Sequence, residues 1–116
     1  MYGGQMELRT PSYFALAALI DGPLHGYAMV RRADELSGGA VRLSTGTLYA
    51  LLERAIAQGI VVAGEPYVHG GRQRRDYTLT PAGRTVLSAE AQRLERAGQL
   101  VERRLRATAA AGAMGQ

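Results

Sequence analysis

The chain has no cysteine and no tryptophan, and all of its 14 basic residues are arginine, so lysine is absent as well. Without cysteine, disulfide bonds and thiolate metal sites are excluded, and a reducing cytoplasm is the expected location. The longest apolar stretch, Tyr13 to Ile20, is too short to span a bilayer, and Met1 to Met6 lacks the charged start of a signal peptide. We therefore expect a soluble, cytoplasmic protein with no membrane partner.

Size and charge are the first positive indications. With 116 residues, of which 47% are hydrophobic, the chain is expected to fold around one modest core. The formal net charge is +4, and arginine forks match phosphates and guanine edges in two-point contacts. The codon bias of a GC-rich genome explains the missing lysines equally well, so the positions of the arginines carry the argument for a nucleic-acid partner.

Two helices are predicted before residue 40. The first begins at Thr10, a capping hydroxyl in front of a proline, and ends at the DGP turn of residues 21–23. Its apolar residues on almost every side predict a buried position. The second begins at His25 or Gly26 and ends at Leu36, ahead of a glycine pair. Its predicted apolar stripe is Tyr27, Val30 and Ala33.

A third helix has the clearest pattern in the chain. Ser44 is its predicted N-cap, and Gly59 is predicted to end it in a left-handed conformation. Its apolar positions follow the i, i+3, i+4, i+7, i+8 spacing of a helix with one buried face. These positions are Leu48, Leu51, Leu52, Ala55 and Ile56.

A change of period after Gly59 predicts a β-hairpin. Residues 60–65 and 76–80 have strand patterns, and Gly70 and Gly71 between them form the expected turn. Three helices followed by a hairpin is the plan of a winged helix-turn-helix, in which the third helix is the recognition helix and the hairpin is the wing. The predicted fold class is therefore mostly α with a small β-hairpin.

The last predicted helix follows residues 1–80, the expected DNA-binding domain. Thr80 caps it, and it continues to about Ala107 with an apolar seam at a spacing of seven residues. At about 26 residues, or roughly 39 Å, it is too long for a small core to cover, so its early turns are expected to pack on the same chain and its distal half on a second copy. Residues 81–107 are thus an expected dimerisation helix, and residues 108–116 an expected disordered tail. The predicted dimerisation residues are Leu87, Leu94, Ala97, Val101 and Leu105.

The exposed side of the predicted recognition helix starts with the sequence Ser-Thr-Gly-Thr. Small residues allow close approach to DNA, hydroxyls bind phosphates or base edges, and a helix N-terminus favours anions. Two alternatives remain open: Ser44 and Thr47 only cap the helix, and Tyr49 is a core residue that leans on the hairpin. The predicted DNA contacts of this helix are Ser44, Thr45, Gly46, Thr47 and Tyr49.

The predicted wing concentrates positive charge after its glycine turn. Arg72, Gln73, Arg74 and Arg75 follow Gly71, whereas the acidic residues lie at the base of the hairpin. Such a tip suits contact with DNA phosphates or insertion into a narrow minor groove. The alternative is a solvated charged surface.

The two histidines, His25 and His69, do not indicate a catalytic or metal site. They lie on different predicted elements, with no carboxylate at a helical spacing from either. The sequence also has no serine nucleophile elbow, no phosphate-binding glycine loop and no paired carboxylates. We therefore expect no enzyme activity, no catalytic residue, no metal and no cofactor.

Three stretches between Met6 and Arg106 together resemble the PadR family of transcriptional regulators, in its short form. They are HGYAMVRRADELSGG, LSTGTLYALLERAIAQGIV and RRDYTLTPAGRTVL. The resemblance implies a homodimeric repressor that binds a pseudo-palindromic operator in double-stranded DNA and dimerises through its C-terminal helix, with help from the first helix. It also implies that Tyr27 lies near the DNA backbone and that a small aromatic or drug-like effector releases the protein from DNA. The chain lacks the tryptophan that some drug-binding members use as a stacking platform.

Two other classes of function remain as alternatives. One is a winged helix that binds only proteins, against which the basic wing and the hydroxyl-rich helix argue. The other is a dimeric carrier of a small molecule, which needs no operator.

Overall fold

The computed structural model describes residues 8–114 of the chain. Within this range the polypeptide forms four α-helices and five short strands. In chain order they are α1 (Thr10–Ala17), β1 (Leu24–His25), α2 (Gly26–Leu36), α3 (Thr45–Ala57), β2 (Val61–Ala63), β3 (Tyr67–His69), β4 (Arg72–Arg74), β5 (Asp76–Leu79) and α4 (Pro81–Met114). The expected loose end at Met1 to Gln5 lies outside the described residues.

The predicted winged helix-turn-helix is confirmed by this arrangement. Helices α1, α2 and α3 pack around one core. An antiparallel sheet in the order β1-β5-β2 adjoins this core, and β3 and β4 form a separate two-stranded wing. The largest fully buried side chains of the core are Leu16, Leu19, Met29, Leu48, Leu51, Leu52 and Val61.

The small sheet contains one strand that the sequence pattern did not predict. β1 has only two residues, too few to show a period, and it forms when Leu24 pairs with Tyr77 on β5. The predicted strands are confirmed as β2 and β5, with Val61 opposite Leu79. The predicted turn of the wing is also confirmed, because Gly70 and Gly71 have φ angles of 59° and 76°, which favour glycine.

The start of α1 differs from its prediction. Thr10 is the first helical residue rather than the cap, and Arg9 occupies the N-cap position. Pro11 lies in the first turn as expected, because the missing N–H of proline is not needed there. Regular α-helix ends at Ala17, and tighter turns continue the chain to the predicted DGP stop.

Helices α2 and α3 begin and end close to their predicted limits. The His25 side chain caps α2 by accepting a hydrogen bond from the Ala28 N–H, and Ser44 Oγ caps α3 by accepting one from the Thr47 N–H. Two residues assigned to buried faces are exposed instead: Tyr27 by 69% and Ile56 by 41%. On α2 the side that faces the core carries Met29 and Ala33, four residues apart, and this leaves Tyr27 outside the core.

Helix α4 begins as predicted and ends later than predicted. Thr80 Oγ1 accepts a hydrogen bond from the Gly83 N–H at 2.9 Å, which caps the helix. The helix then continues to Met114, so the disorder predicted for residues 108–116 is wrong for residues 108–114; residues 115 and 116 lie outside the described part. The run of alanines after residue 106 explains the extension, because alanine has the highest helix propensity and an existing helix propagates at little cost.

Only the first turns of α4 pack on the rest of the chain. Leu87 is buried in the core, whereas every described side chain from Ala91 to Ala113 is exposed. The core therefore reaches no further along this helix than about its first ten residues. Within residues 8–114, no helix is both long enough and apolar enough to cross a membrane.

Candidate nucleic-acid interface

The first turn of α3 presents hydroxyl groups to solvent. Ser44, Thr45, Gly46 and Thr47 are all exposed, as the predicted contact surface requires. Ser44 Oγ donates a hydrogen bond to Thr47 Oγ1 at 2.9 Å while accepting one from the Thr47 N–H at 3.1 Å. Ser44 is therefore the helix cap, as the first alternative held. Capping does not occupy the Thr45 hydroxyl, and Thr47 keeps its own O–H for donation to a ligand.

Tyr49, one turn further along α3, is half-exposed and packs against the N-terminus of α2. A Cβ atom at Gly26 would lie only 2.7 Å from the Tyr49 phenol oxygen, so this ring occupies space that only glycine leaves open. Tyr49 is thus neither a core residue nor a freely rotating side chain. Gly26 is a positioning residue that the sequence analysis missed, and its signal was a glycine at the start of an otherwise well-formed helix.

The wing carries its arginines along a strand rather than at its tip. Gly70 and Gly71 form the tip, and from there Arg72, Gln73 and Arg74 run back along β4, opposite β3. The placement at the tip predicted from sequence is therefore corrected: these residues run from the tip back toward the base of the wing. Arg72, Gln73 and Arg75 are exposed, and Arg74 is half-buried.

The base of the wing is closed by a hydrogen bond from wing strand β3 to strand β5 of the three-stranded sheet. The Tyr67 hydroxyl on β3 donates to Asp76 Oδ1 on β5 at 2.7 Å. This hydrogen bond raises the pKa of Tyr67. The carboxylate of Asp76 thus lies at the base of the wing, and the exposed part of β4 keeps its positive charge.

One open groove joins the two tyrosines to the wing. It is lined by His25, Gly26, Tyr27, Tyr49 and residues 72–75. The Arg74 guanidinium reaches across it, with Nη1 at 3.3 Å from His25 Nε2. The structure therefore brings together six of the ten predicted DNA-contact residues. The other four, from the first turn of α3, lie outside this groove.

Two arginines that the sequence analysis did not select extend this surface. The guanidinium carbon of Arg31 lies 5.5 Å from the centre of the Tyr27 ring, an arrangement that holds a positive charge over the exposed aromatic face. Arg42 is exposed beside Ser44 and Thr47, in a second shallow groove. Both arginines could have been found from their spacing in the sequence. Arg31 follows Tyr27 at the i+4 position of one helix, and Arg42 lies two positions before the cap of α3.

His25 has a structural role in this groove. Burial first, and the charge of Arg74 second, lower the pKa of His25 below its usual 6.5. The ring is therefore mainly neutral at pH 7, as a capping acceptor must be. Among the described residues, no three histidine, aspartate or glutamate side chains are grouped so that they could hold a metal ion.

The predicted dimerisation residues divide into two sets. Leu87 is only 6% exposed and fills the core of its own chain, so its assignment to a seam between two copies is corrected. The remaining four, Leu94, Ala97, Val101 and Leu105, all lie on the exposed length of α4. Leu94, Val101 and Leu105 are 43%, 55% and 61% exposed, which is unusual for large apolar side chains.

Two proteins with similar sequences come from Streptomyces fradiae and Mycobacterium tuberculosis. An uncharacterized protein in transposon TN4556 of Streptomyces fradiae is 42% identical over 91 residues, which are 78% of this chain and 25% of that protein. A transcriptional regulator of Mycobacterium tuberculosis is 43% identical over 75 residues, which are 65% of this chain and 66% of that protein. The chain thus spans about a quarter and just under two thirds of these two relatives.

A solved structure shares the fold, and a family model matches most of the sequence. The crystal structure of Bacillus subtilis PadR in complex with operator DNA superimposes with a TM-score of 0.63 and 24% identity, over 72% of this chain and 48% of that chain. The model of the transcriptional regulator PadR-like family matches residues 15–89, which include the end of α1, all of α2 and α3, the wing and the start of α4. The chain is therefore a member of the PadR-like family of transcriptional regulators.

Proposed function

We propose that this regulator is a homodimeric repressor that binds a pseudo-palindromic operator and leaves the DNA when a small-molecule effector binds. The observation that carries the proposal is the meeting of Tyr27, Tyr49 and the wing arginines in one groove, beside the exposed hydroxyls of α3. Positive charge, aromatic hydroxyls and a free helix N-terminus on one face suit a DNA duplex better than any other partner.

The two parts of this face have different roles in the proposal. The N-terminal turn of α3 enters the major groove, where Thr45 and Thr47 reach base edges or phosphates and Gly46 lets the backbone approach closely. The groove between α2 and the wing follows the phosphate backbone, with Arg72, Arg74 and Arg75 as charge partners. The operator complex of the Bacillus subtilis protein, which shares this fold, supports the same use of the fold here.

The proposed dimer rests on the length and exposure of α4. Its 34 residues extend about 51 Å, and the described side chains beyond Glu90 make no core of their own. Leu94, Val101 and Leu105 occupy one apolar stripe of this exposed length. A second copy of α4 packed on that stripe removes it from water, and a twofold pair of recognition helices then matches a pseudo-palindromic site.

The proposed effector site is a cavity between α1 and α4. It has a volume of about 370 Å³, within the range of small-molecule pockets, and its lining includes Tyr13, Phe14, Glu90, Arg93 and Leu94. Tyr13 and Phe14 are stacked edge to face, with ring centres 5.4 Å apart. These rings supply aromatic surface in a chain without tryptophan, and the cavity borders the stripe proposed for dimerisation. A ligand there is placed to change the dimer.

A direct test measures the binding of the full chain to duplex DNA as salt is raised from about 50 to 200 mM, where phosphate contacts weaken steeply. We expect retention on random duplex that falls with salt, and tighter binding to a duplex selected from a random pool. A chain that binds no duplex at any salt concentration is instead a protein-interaction module. A chain that binds a small molecule tightly but selects no duplex is a carrier.

A further inference from the structure

We propose that Thr80 and Gly83 are positioning residues that set the separation of half-sites in the operator, by fixing the angle between α4 and the recognition helix α3. This inference rests on the proposed function, in which α4 joins two copies and α3 reads DNA. It concerns the TLTPAG segment, a motif that the DNA-contact surface does not use. The evidence lies in how the end of α3 and the start of α4 touch.

The C-terminal end of α3 is a well-formed helix cap. Gly59, with φ of 72°, donates its N–H to the Ile56 carbonyl at 3.0 Å, and Ile60 donates its N–H to the Ala55 carbonyl at 2.9 Å. This pair of hydrogen bonds is a Schellman motif, which fixes the direction in which the chain leaves the helix. The carbonyl groups of Gly59 and Ile60 are left for partners outside α3.

Thr80 supplies that partner. Its Oγ1 lies 2.6 Å from the Gly59 carbonyl and 3.0 Å from the Ile60 carbonyl, so the single hydroxyl proton is shared between them. The same oxygen accepts the Gly83 N–H at 2.9 Å and so caps α4. One side chain therefore joins the C-terminal end of the recognition helix to the N-terminal end of the long helix.

Gly83 allows α4 to approach this junction closely. A Cβ atom at Gly83 would overlap the Ile60 carbonyl oxygen and would lie 2.7 Å from Leu79 Cδ1. The Ile60 carbonyl oxygen is a backbone atom and cannot move aside as the flexible Leu79 side chain can, so a side chain at this position pushes α4 away from the end of α3. A second tie fixes the same helix from another side, because Arg84 Nη2 donates to the Ile20 carbonyl at 2.8 Å, next to the end of α1.

A small tilt at this junction has a large effect at the DNA. Helix α3 has 13 residues and is therefore about 20 Å long, with the junction at one end and the DNA-facing turn at the other. A tilt of about 10° moves the far end by roughly 3.4 Å, the rise of one base pair. In a dimer held by α4, the angle at Thr80 and Gly83 thus determines which half-site spacing both recognition helices can reach.

The test uses the full chain and a duplex selected from a random pool by the wild-type protein. Affinity is measured for that duplex and for versions with one base pair added or removed between the half-sites. We expect the wild type to lose about tenfold or more per base pair of altered spacing, as for a weakened half-site contact. For Gly83→Ala we expect either a different preferred spacing or a loss of affinity of only about threefold or less per base pair of altered spacing. Its affinity for a single half-site should remain similar to that of the wild type. Gly112→Ala, where a Cβ atom meets nothing within 4 Å, is the matched control and keeps the wild-type ratio.

Thr80 gives a second pair of variants in case Gly83→Ala does not fold. Thr80→Val removes the hydroxyl at nearly constant shape and should flatten the spacing preference, whereas Thr80→Ser keeps the hydroxyl and should restore it. A merely structural role lowers the folded fraction and changes all spacings by the same factor. The inference is overturned if a folded, dimeric variant at either position keeps the wild-type spacing ratio. If the wild type selects no duplex with paired half-sites, it is the proposed function that is contradicted. Sedimentation of the wild type then shows whether the dimer is absent.

Discussion

The imidazole of His25 lies between two hydrogen-bond donors, with Nε2 3.3 Å from the guanidinium of Arg74. The other ring nitrogen, Nδ1, is 3.3 Å from the Ala28 nitrogen that it caps. A neutral imidazole has one acceptor nitrogen, so it accepts from the α2 backbone or from the wing, but not from both at once. Protonation removes this one acceptor. The ring therefore couples the start of α2 to the position of a wing arginine.

This relationship predicts a pH dependence of stability. Burial and the charges of Arg74, Arg31 and His69 lower the pKa of His25 from 6.5, against the opposing charge of Asp76. The unfolded chain consequently takes up this proton before the folded chain does. The stabilising contribution is present above pH 6.5 and is lost as the pH falls through the lowered folded-state pKa.

The measurement is the denaturant midpoint of unfolding at several values between about pH 7.5 and pH 5, across the usual histidine range. His25→Asn keeps a good capping side chain and removes the titration, so its loss of stability over this range should be smaller than that of the wild type. His69→Asn, on the exposed wing strand, is the control; it removes only the smallest of the charges that lower the pKa of His25 and should change the curve much less than His25→Asn does. Parallel curves for His25→Asn and the wild type would show that His25 does not contribute.

The second prediction concerns the wing. Arg74→Ala should weaken binding to all duplex sequences alike, because one phosphate contact is lost. The slope of log affinity against log salt concentration should become less steep by about one unit. Arg96→Ala makes the same change in charge on exposed α4, away from the groove, and should have little effect. An unchanged affinity of Arg74→Ala for random DNA is the result that rules out the wing contact.

The third prediction concerns sequence preference in the recognition helix. Thr47→Ala keeps the backbone N–H that Ser44 caps, and Tyr49→Phe keeps the ring against Gly26, so both variants should fold. Each should reduce the difference in binding free energy between a selected and a random duplex by about 1–3 kcal/mol if a base contact is lost. Thermal unfolding checks that the variants are folded. Full discrimination in both folded variants contradicts the assignment.

The fourth prediction tests the role of Gly26. Gly26→Ala places a methyl group against the Tyr49 phenol and should destabilise the protein by about 1–3 kcal/mol, as overpacking does. In a Tyr49→Ala background the same change should cost much less, because the main obstacle is gone. If Gly26→Ala lowered the free energy of unfolding equally in both backgrounds, Gly26 would act through another neighbour, such as Leu48. The double-mutant cycle by denaturant unfolding measures this difference directly.

The fifth prediction concerns assembly. Leu94→Glu combined with Val101→Glu places two charges on the exposed apolar stripe of α4, where burial against a second copy is costly. This variant should sediment as a monomer and lose binding to a paired site far more than to a single half-site. Arg96→Glu changes the net charge by the same amount on the opposite side of α4 and should remain dimeric. A normal dimer mass for the double variant moves the interface elsewhere, with α1 as the next surface to examine.

Local rules predicted most of the elements because each depends on residues close in sequence. Ser44 is three residues from the N–H that it caps, and Gly59 and Gly70 need φ angles that glycine adopts without strain. The spacing of Leu48, Leu51 and Ala55 gives α3 a buried face in any similar fold. The limits of these rules appear at α4, where they predict a disordered tail for an alanine-rich end that has a high helix propensity and is helical to Met114.

The sequence by itself determined the order of the four helices and of strands β2 and β5, the basic wing, and the hydroxyl-rich start of the recognition helix, since these follow from composition and period. Tertiary structure alone decided which residues share a surface. It brought Tyr27, Tyr49 and Arg74 from three elements into one groove, placed Leu87 in the core rather than in a seam, and joined Thr80 to the end of α3. Such contacts depend on how packed elements are oriented, and neither propensity nor periodicity records the distance between residues that are far apart in the chain.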